Sequence, residues 1–280
     1  MTQLFNLASS LLLTAAMGWA PTGVNIAGPY AGGPLACPDG AQGVFVCWDD
    51  ERDLYTTLDD AYGAHVRSSG VLDPAFPSNG LPIAVTARDE TDWGVARAFD
   101  GGAYWLWSIN YLDLGQGLDL HLRKTLATTA PDPAWPADGI SFGATADDII
   151  EPKMVEDQQG GVFVGWEEGP DSSNRFLTHT ARATRVLPDG SVAPGWPAAG
   201  VVFSTGYAGR TIQVIAADGG GGGFFVWYDS QDSVSTQVYA QHLLANGSVA
   251  PGWPAGGARV CALHSAQDCR SAIPDGAGGL

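Results

Sequence analysis

Several groups of residues in this sequence are of types that do chemistry. Gly139-Ile-Ser141-Phe-Gly143 has the G-x-S-x-G spacing that holds a nucleophilic serine on a sharp strand-to-helix turn. That use needs a helix after the serine and a histidine and acid marked elsewhere. The residues that follow read ATADDIIEP, no partner is marked, and Gly139 belongs to a repeated box, so the match reads as coincidence. Gly219–Gly223 could cradle a phosphate, but it lacks the Lys-Ser/Thr pair and reads as a hairpin turn with one extra glycine. Carboxylates gather at Asp49-Asp50-Glu51-Arg52-Asp53, at Glu167-Glu168, and at Asp229 with Asp232. Ca²⁺ takes about six to eight oxygens, which such loops could supply. None has the D-x-D-x-D-G spacing, and Ser108-Ile109 interrupts the series, so solvated loops are expected, with Ca²⁺ the weaker reading. Paired carboxylates for glycoside hydrolysis stay open, because their geometry is set between segments distant in the chain.

His65 and His242 share one column with Lys124 and Arg185, which favours positive charge over metal ligation. The expected partners are the acidic residues on the preceding strand, as exposed pairs worth about 0.2–1 kcal/mol each. His121, His179 and His264 fall outside that register. Cys37, Cys47, Cys261 and Cys269 allow three pairings; an oxidising compartment would permit Cys261–Cys269, and the pairing stays open. No spacing matches a paired C-x-x-C zinc site. The sequence therefore assigns no catalytic, cofactor-binding or metal-binding residue.

The elements that would position these residues come from two repeated boxes. A head box reads PDGAQGVFVCWD at Pro38–Asp49, FDGGAYWLWS at Phe99–Ser108, DQQGGVFVGWE at Asp157–Glu167 and DGGGGGFFVWYD at Asp218–Asp229, and it restarts as PDGAGGL at Pro274–Leu280. A tail box reads DPAFPSNG from Asp73, DPAWPADG from Asp132, APGWPAAG from Ala193 and APGWPAGG from Ala250. Its aromatic moves from Phe76 to Trp135, Trp196 and Trp253, in steps of 59, 61 and 57. Such a period signals copies of one unit that cannot bury its own apolar face alone.

Each copy reads as four strands. A short run such as Thr211–Ala217 precedes the Asp-Gly turn, and an alternating run such as Val162–Trp166 follows it. A third strand ends at Ser69-Gly70, Asp189-Gly190 or Asn246-Gly247, and a fourth leads from the tail box into segments such as Val201–Ser204. The expectation is an all-β, partial β-propeller of four to five four-stranded blades, with a sandwich or β-helix as competitor. It forms one repetitive domain over 1–280: a partial blade at 1–37, repeats at about 38–98, 99–156, 157–217 and 218–273, and a new start at 274–280. Trp48, Trp107, Trp166 and Tyr228 are read as one column and Trp19, Phe76, Trp135, Trp196 and Trp253 as another, both filling space between blades.

At the N-terminus, Gln3-Leu4-Phe5 precedes Trp19 as Gln237-Val238-Tyr239 precedes Trp253, so residues 3–23 are expected to be half a blade. The rival is a signal peptide with Leu7–Met17 as apolar core, but MTQLFN carries no Lys or Arg. The chain stops before the Trp of its last head box, which favours a fragment over ends that meet in a fifth blade. Composition agrees with short strands and many turns: 38 Gly, 18 Pro and 15% charged residues in 280. The net charge of −17, with only Lys124 and Lys153 as lysines, speaks against nucleic acid and anionic membranes.

Asp39–Arg52, Tyr239–Trp253 and the final PDGAGGL together resemble the tandem repeats of large secreted bacterial proteins, with the pattern DGxGGxxVxWxDxR…YAQRLxxxGxxxW…G. The match is loose in each copy, and Gln42-Gly43 replaces the Gly-Gly pair in the first. The resemblance implies a propeller-like fold and a secreted or cell-surface location, and it carries no catalytic motif. The S-x-D-x-G-x-T-W box of sialidase-type propellers is absent. The leading expectation is thus a non-catalytic binding, adhesion or scaffold module, meeting an extracellular protein or glycan, without nucleic acid or membrane insertion. The alternative is an extracellular carbohydrate-active propeller of glycosidase or lyase type.

Overall fold

The computed structural model describes residues 22–111, 117–142, 148–170, 178–207, 212–232, 235–261 and 269–280. The half-blade expected at 3–23, the signal-peptide reading, Trp19, Gly143 and His264 lie wholly or almost wholly outside them. The described residues form sixteen strands in four antiparallel sheets and no helix. Blade 1 holds β1 (Ala31–Pro38), β2 (Val44–Asp50), β3 (Asp60–Val66) and β4 (Leu81–Ala84). Blade 2 holds β5 (Glu90–Arg97), β6 (Ala103–Asn110), β7 (Leu118–Thr125) and β8 (Ile140–Phe142). Blade 3 holds β9 (Asp148–Glu156), β10 (Val162–Gly169), β11 (Thr178–Val186) and β12 (Val201–Tyr207). Blade 4 holds β13 (Ile212–Ala217), β14 (Gly223–Asp232), β15 (Ser235–Leu243) and β16 (Ala258–Arg259). In every blade the strands pair in chain order. β1, β5, β9 and β13 lie beside one another, as the innermost strands of a propeller do. Each blade starts with the strand ahead of its head turn, so blade limits fall several residues before repeat limits counted from the head box.

Apolar residues on both faces of each central strand explain why blades stack. The second strand is buried almost end to end, as in Val162–Gly169, and its two faces serve two neighbours. Tyr104 and Leu106 pack with Val162, Val164 and Trp166 between blades 2 and 3, while Phe163 packs with Ile215, Phe225 and Trp227 between blades 3 and 4.

The head-box indole faces the preceding blade, and here the fourth copy corrects the sequence register. The column runs Trp48, Trp107, Trp166 and Trp227, not Tyr228. The head turns Asp39–Gly43, Ala98–Gly102, Asp157–Gly161 and Asp218–Gly222 all close by a bond from the first residue's N–H to the last residue's carbonyl. All are five residues long, so the fourth has no extra glycine. Tail glycines Gly80, Gly200 and Gly257, with φ of 90°, 77° and 83°, lie against Trp48, Trp166 and Trp227, and a Cβ there would strike the ring at 2.5, 2.8 and 2.2 Å. Glycine is required there twice over, by conformation and by space.

The tail aromatic faces the following blade. Trp135 Nε1 donates to the Pro188 carbonyl at 2.9 Å, and Trp196 Nε1 donates to the Ala245 carbonyl at 2.9 Å. Each indole lies on the glycine of the same turn, Gly190 or Gly247. Phe76 makes the apolar contact with blade 2, against Trp105, and has no N–H to give. The last face of blade 4 packs its Val226, Val238 and Ala240 against the segment carrying Cys269 and Ala272.

Each innermost strand also carries a β-bulge, always opposite the head-box Trp. Gly33-Pro34 stand against Trp48, Asp92-Trp93 against Trp107, Glu151-Pro152 against Trp166, and Ile212-Gln213 against Trp227. A bulge redirects side chains at a sheet edge or rim.

Candidate functional site

The two ends of this molecule are built differently. At one end lie the head turns, all five residues long, and the tail boxes. At the other, the first strands begin, and the connections between second and third strands span residues 51–59, 111–117, 170–177 and 233–234. Constant turns serve packing; connections that vary around a fixed scaffold are where specific contacts are made.

The constant end contains the basic column, whose partners differ from those expected. Asp39, Asp157 and Asp218 each use one carboxylate oxygen to accept two N–H groups of their own turn, such as Gln159 and Gly161 for Asp157. The other oxygen takes the column. His65 Nε2 lies 3.0 Å from Asp39, Arg185 Nη2 2.7 Å from Asp157, and His242 Nε2 2.8 Å from Asp218. Lys124 Nζ reaches Asp100 at 2.5 Å and the tail-box Asp132 at 2.8 Å, and His65 Nδ1 likewise meets Asp73 at 2.9 Å. Tail boxes that begin with Asp thus double the contact, and those that begin with Ala do not. Apart from Asp100, which is exposed, the members of these pairs are buried or half-buried, and they engage turn and tail-box residues rather than the second strand.

In the acidic series at the opposite end, Glu51 and Asp53 are exposed as expected of solvated loops, but other members are not. Asp50, Glu167, Glu168 and Asp229 are all buried. Asp50 accepts from Trp48 Nε1 at 3.0 Å and from Arg52, whose Nη2 also donates to the Asn79 carbonyl. Glu168 repeats the arrangement with Trp166, Arg182 and the Ala199 carbonyl. Hydrogen bonding to Arg52 holds the Asp50 carboxyl below the usual carboxylate range. Asp50 and Glu168 thus anchor their own indoles. In blade 2 Ile109 stands at that position, and in blade 4 Asp229 does; Trp107 Nε1 and Trp227 Nε1 are both left without an acceptor among the described residues.

Four further carboxyls between blades 1 and 2 have no such duty. Asp49 Oδ1 accepts the backbone N–H of Asp92, 43 residues away, at 2.6 Å. Asp49 Oδ2 lies against Gly33, where an added Cβ would approach to 3.4 Å, so the missing side chain leaves this oxygen open towards exposed Gly33. Asp92 is only 7% exposed, and its Oδ2 has no hydrogen-bond partner. Burial, reinforced by the Asp49 charge, pushes the Asp92 carboxyl up to about 7. Burial, reinforced by Asp59 and Asp89, pushes Asp49 up to about 6. Beside them, Asp60 and Glu90 are fully buried; Thr57 donates to Asp60, and Thr86 donates to Glu90 through N–H and hydroxyl. Burial, with Asp60 and Asp89 adding to it, lifts Glu90 to about 7. None of the four has a basic partner among the described residues. Carboxyls that exchange protons near neutrality are what general acid–base chemistry requires.

The remaining candidates fall elsewhere. Ser141 is exposed on β8, paired with His121, and Gly139 is a tail-turn glycine with φ of 77°; among the described residues there is no helix and no triad around Ser141. His121 stacks on Trp107 with ring centres 5.5 Å apart, and His179 Nδ1 lies 3.4 Å from Glu167. Gly219–Gly223 form a head turn and the start of β14. Cys37, Cys47, Cys261 and Cys269 are free thiols. Among the described residues no group of three or more His, Cys, Asp or Glu side chains is placed to hold a metal ion, and no helix is long and apolar enough to cross a membrane. Sequence reading named Asp49 but missed Asp92. The signal was available by counting six residues back from each head turn, to Gly33, Asp92, Glu151 and Ile212.

No protein-family model matches the sequence, and no curated protein matches it. Among solved structures, an α-L-arabinanase from Penicillium chrysogenum, complexed with arabinobiose, aligns with a TM-score of 0.50 at 11% identity, over 82% of this chain and 69% of its own. A polysaccharide lyase aligns at 0.47 and 10% identity over 79% of this chain, which spans 60% of the lyase's length. An α-L-arabinofuranosidase from Fusarium graminearum aligns at 0.46 and 10% identity, over 84% and 70%. At these identities the likeness is one of fold, and this chain is an all-β assembly of four-stranded propeller blades.

Proposed function

We propose that this chain is a carbohydrate-active propeller of glycosidase or lyase type, working where its first strands begin, and not a display scaffold. The observation that carries the reading is the Asp49–Asp92 pair. Two carboxyls from different blades meet beside a glycine at the innermost strands, and neither has a basic partner among the described residues. The fold it shares with the arabinanase supports the reading at the level of architecture alone. Asp92, lifted to about 7, is suited to hold the proton a leaving oxygen needs, and Asp49, at about 6, to carry the negative charge opposite it. The secreted location implied by the repeat resemblance belongs to the same proposal, because polysaccharides are met outside the cell.

The test is turnover of a polysaccharide panel, following reducing ends for hydrolysis and the absorbance of unsaturated sugars for elimination. Asp92→Asn and Asp49→Asn should each abolish the activity without lowering the melting temperature. Wild-type protein that binds a glycan without turning it over would return the chain to the binding and adhesion reading.

A further inference from the structure

Glu151 is the one non-glycine residue inside a described strand whose backbone is left-handed, with φ of 40°; Gln42, Leu58, Thr129 and Gln158 lie in turns or loops. Its counterpart in blade 1 is Gly33, with φ of 56°, and both are followed by proline. Blade 1 thus uses the residue that this backbone favours, and blade 3 puts an exposed carboxylate there against the steric preference. On the next innermost strand, the bulge presents half-buried Trp93, whose Nε1 donates to Ser108 Oγ at 2.8 Å. Ser108 stands where blades 1 and 3 carry Asp49 and Glu167, so one departure from the repeat holds another in place. The bulge of blade 4 presents half-buried Gln213. β5 and β9 come close at this level, since a Cβ on Gly94 would lie 4.0 Å from Met154 Cε. β9 and β13 are neighbours too.

We infer that Trp93, Glu151 and Gln213, brought to one level by the bulges of three adjacent innermost strands, form a subsite for a neutral sugar residue with vicinal hydroxyls. This rests on the carbohydrate reading and deepens it. A fixed indole offers a flat face to the C–H side of a pyranose or furanose ring. A carboxylate and an amide take paired hydroxyls as acceptor and donor. Asp49, Asp92 and Glu151 disfavour an anionic ligand at the same place.

The experiment measures binding to arabinan, galactan, levan and, as the anionic arm, polygalacturonate, by calorimetry or affinity electrophoresis, alongside thermal melting. Wild type should bind at least one neutral polysaccharide. Glu151→Gly should weaken that binding by roughly ten-fold or more while raising the melting temperature, because it relieves a left-handed side chain. Glu151→Gln should keep the melting temperature and lose affinity, and Trp93→Ala should lose affinity as well. Unchanged affinity in Glu151→Gly, or a lower melting temperature, would mean that Glu151 serves the strand and would overturn the subsite alone. Binding confined to polygalacturonate overturns the ligand class. Wild type that binds no polysaccharide of the panel, neutral or anionic, and turns none over overturns the carbohydrate reading along with the subsite.

Discussion

The carboxyls between blades 1 and 2 make stability depend on pH in an unusual direction. Asp92 and Glu90 bind protons near 7 in the folded chain and near their ordinary 3.8 and 4.5 when unfolded. Between those values the folded state holds more protons, so stability falls as pH rises and levels off above about 7. The melting temperature should therefore drop from about pH 5 to pH 7. Asp92→Asn with Glu90→Gln, neutral at every pH, should flatten that slope. A slope unchanged in the double variant would place the proton uptake elsewhere. Asp50, held low by Arg52, works in the opposite sense and loses its contribution only in acid. None of this was legible in the sequence. Asp92 and Asp49 are 43 residues apart, and an interaction between blades leaves no mark in either blade's own pattern. The Tyr228 error has a local cause, since Phe224 to Tyr228 is nearly all aromatic and alternation cannot choose the inward residue.

At the scale of the element, the head turn and the third strand form one unit, and its copies differ in redundancy. Among the described residues Arg185 has a single carboxylate partner, Asp157, and both are buried. Asp157→Ala would strand that charge and uncap the turn, at a cost of about 3–5 kcal/mol. Lys124 keeps Asp132 when Asp100 is removed, so Asp100→Ala should cost no more than about 1 kcal/mol. Urea denaturation of the two variants measures the contrast, and equal losses would show that the turn, not the ion pair, dominates. The strand order and the turn chemistry were readable because Asp-Gly and Asn-Gly fix hairpins locally. The partner of the basic column was not, because it depends on which turn oxygen remains free after the turn is capped.

At the scale of the whole molecule, blades are joined by indoles that reach into the next copy. A buried tryptophan removes about 150–250 Å² from water, so Trp196→Ala should cost about 3–5 kcal/mol. Trp196→Phe keeps most of the packing and loses the bond to the Ala245 carbonyl, for about 1 kcal/mol. Phe76 shows that the position accepts phenylalanine. Both variants should loosen blades 3 and 4 together, which hydrogen exchange would detect as shared loss of protection. Protection lost in blade 3 alone would argue against a nearest-neighbour coupling. The sixty-residue period made this repetition plain in the sequence, whereas the direction in which each aromatic column points came only from the structure.

Pairing in chain order within every sheet has a consequence for how the polypeptide matures. The head turns close over five residues and no connection within a blade is longer than fourteen, so the entropic barrier is small and a blade can assemble as soon as its own stretch has emerged from the ribosome. The indole that belongs to the next blade must wait. Trp135 has no Pro188 to bond until another 53 residues have been made, and Trp196 waits 49 for Ala245. A nascent chain of this protein therefore carries one finished blade with an open apolar flank throughout its synthesis, and that moving flank is where a chaperone would find it.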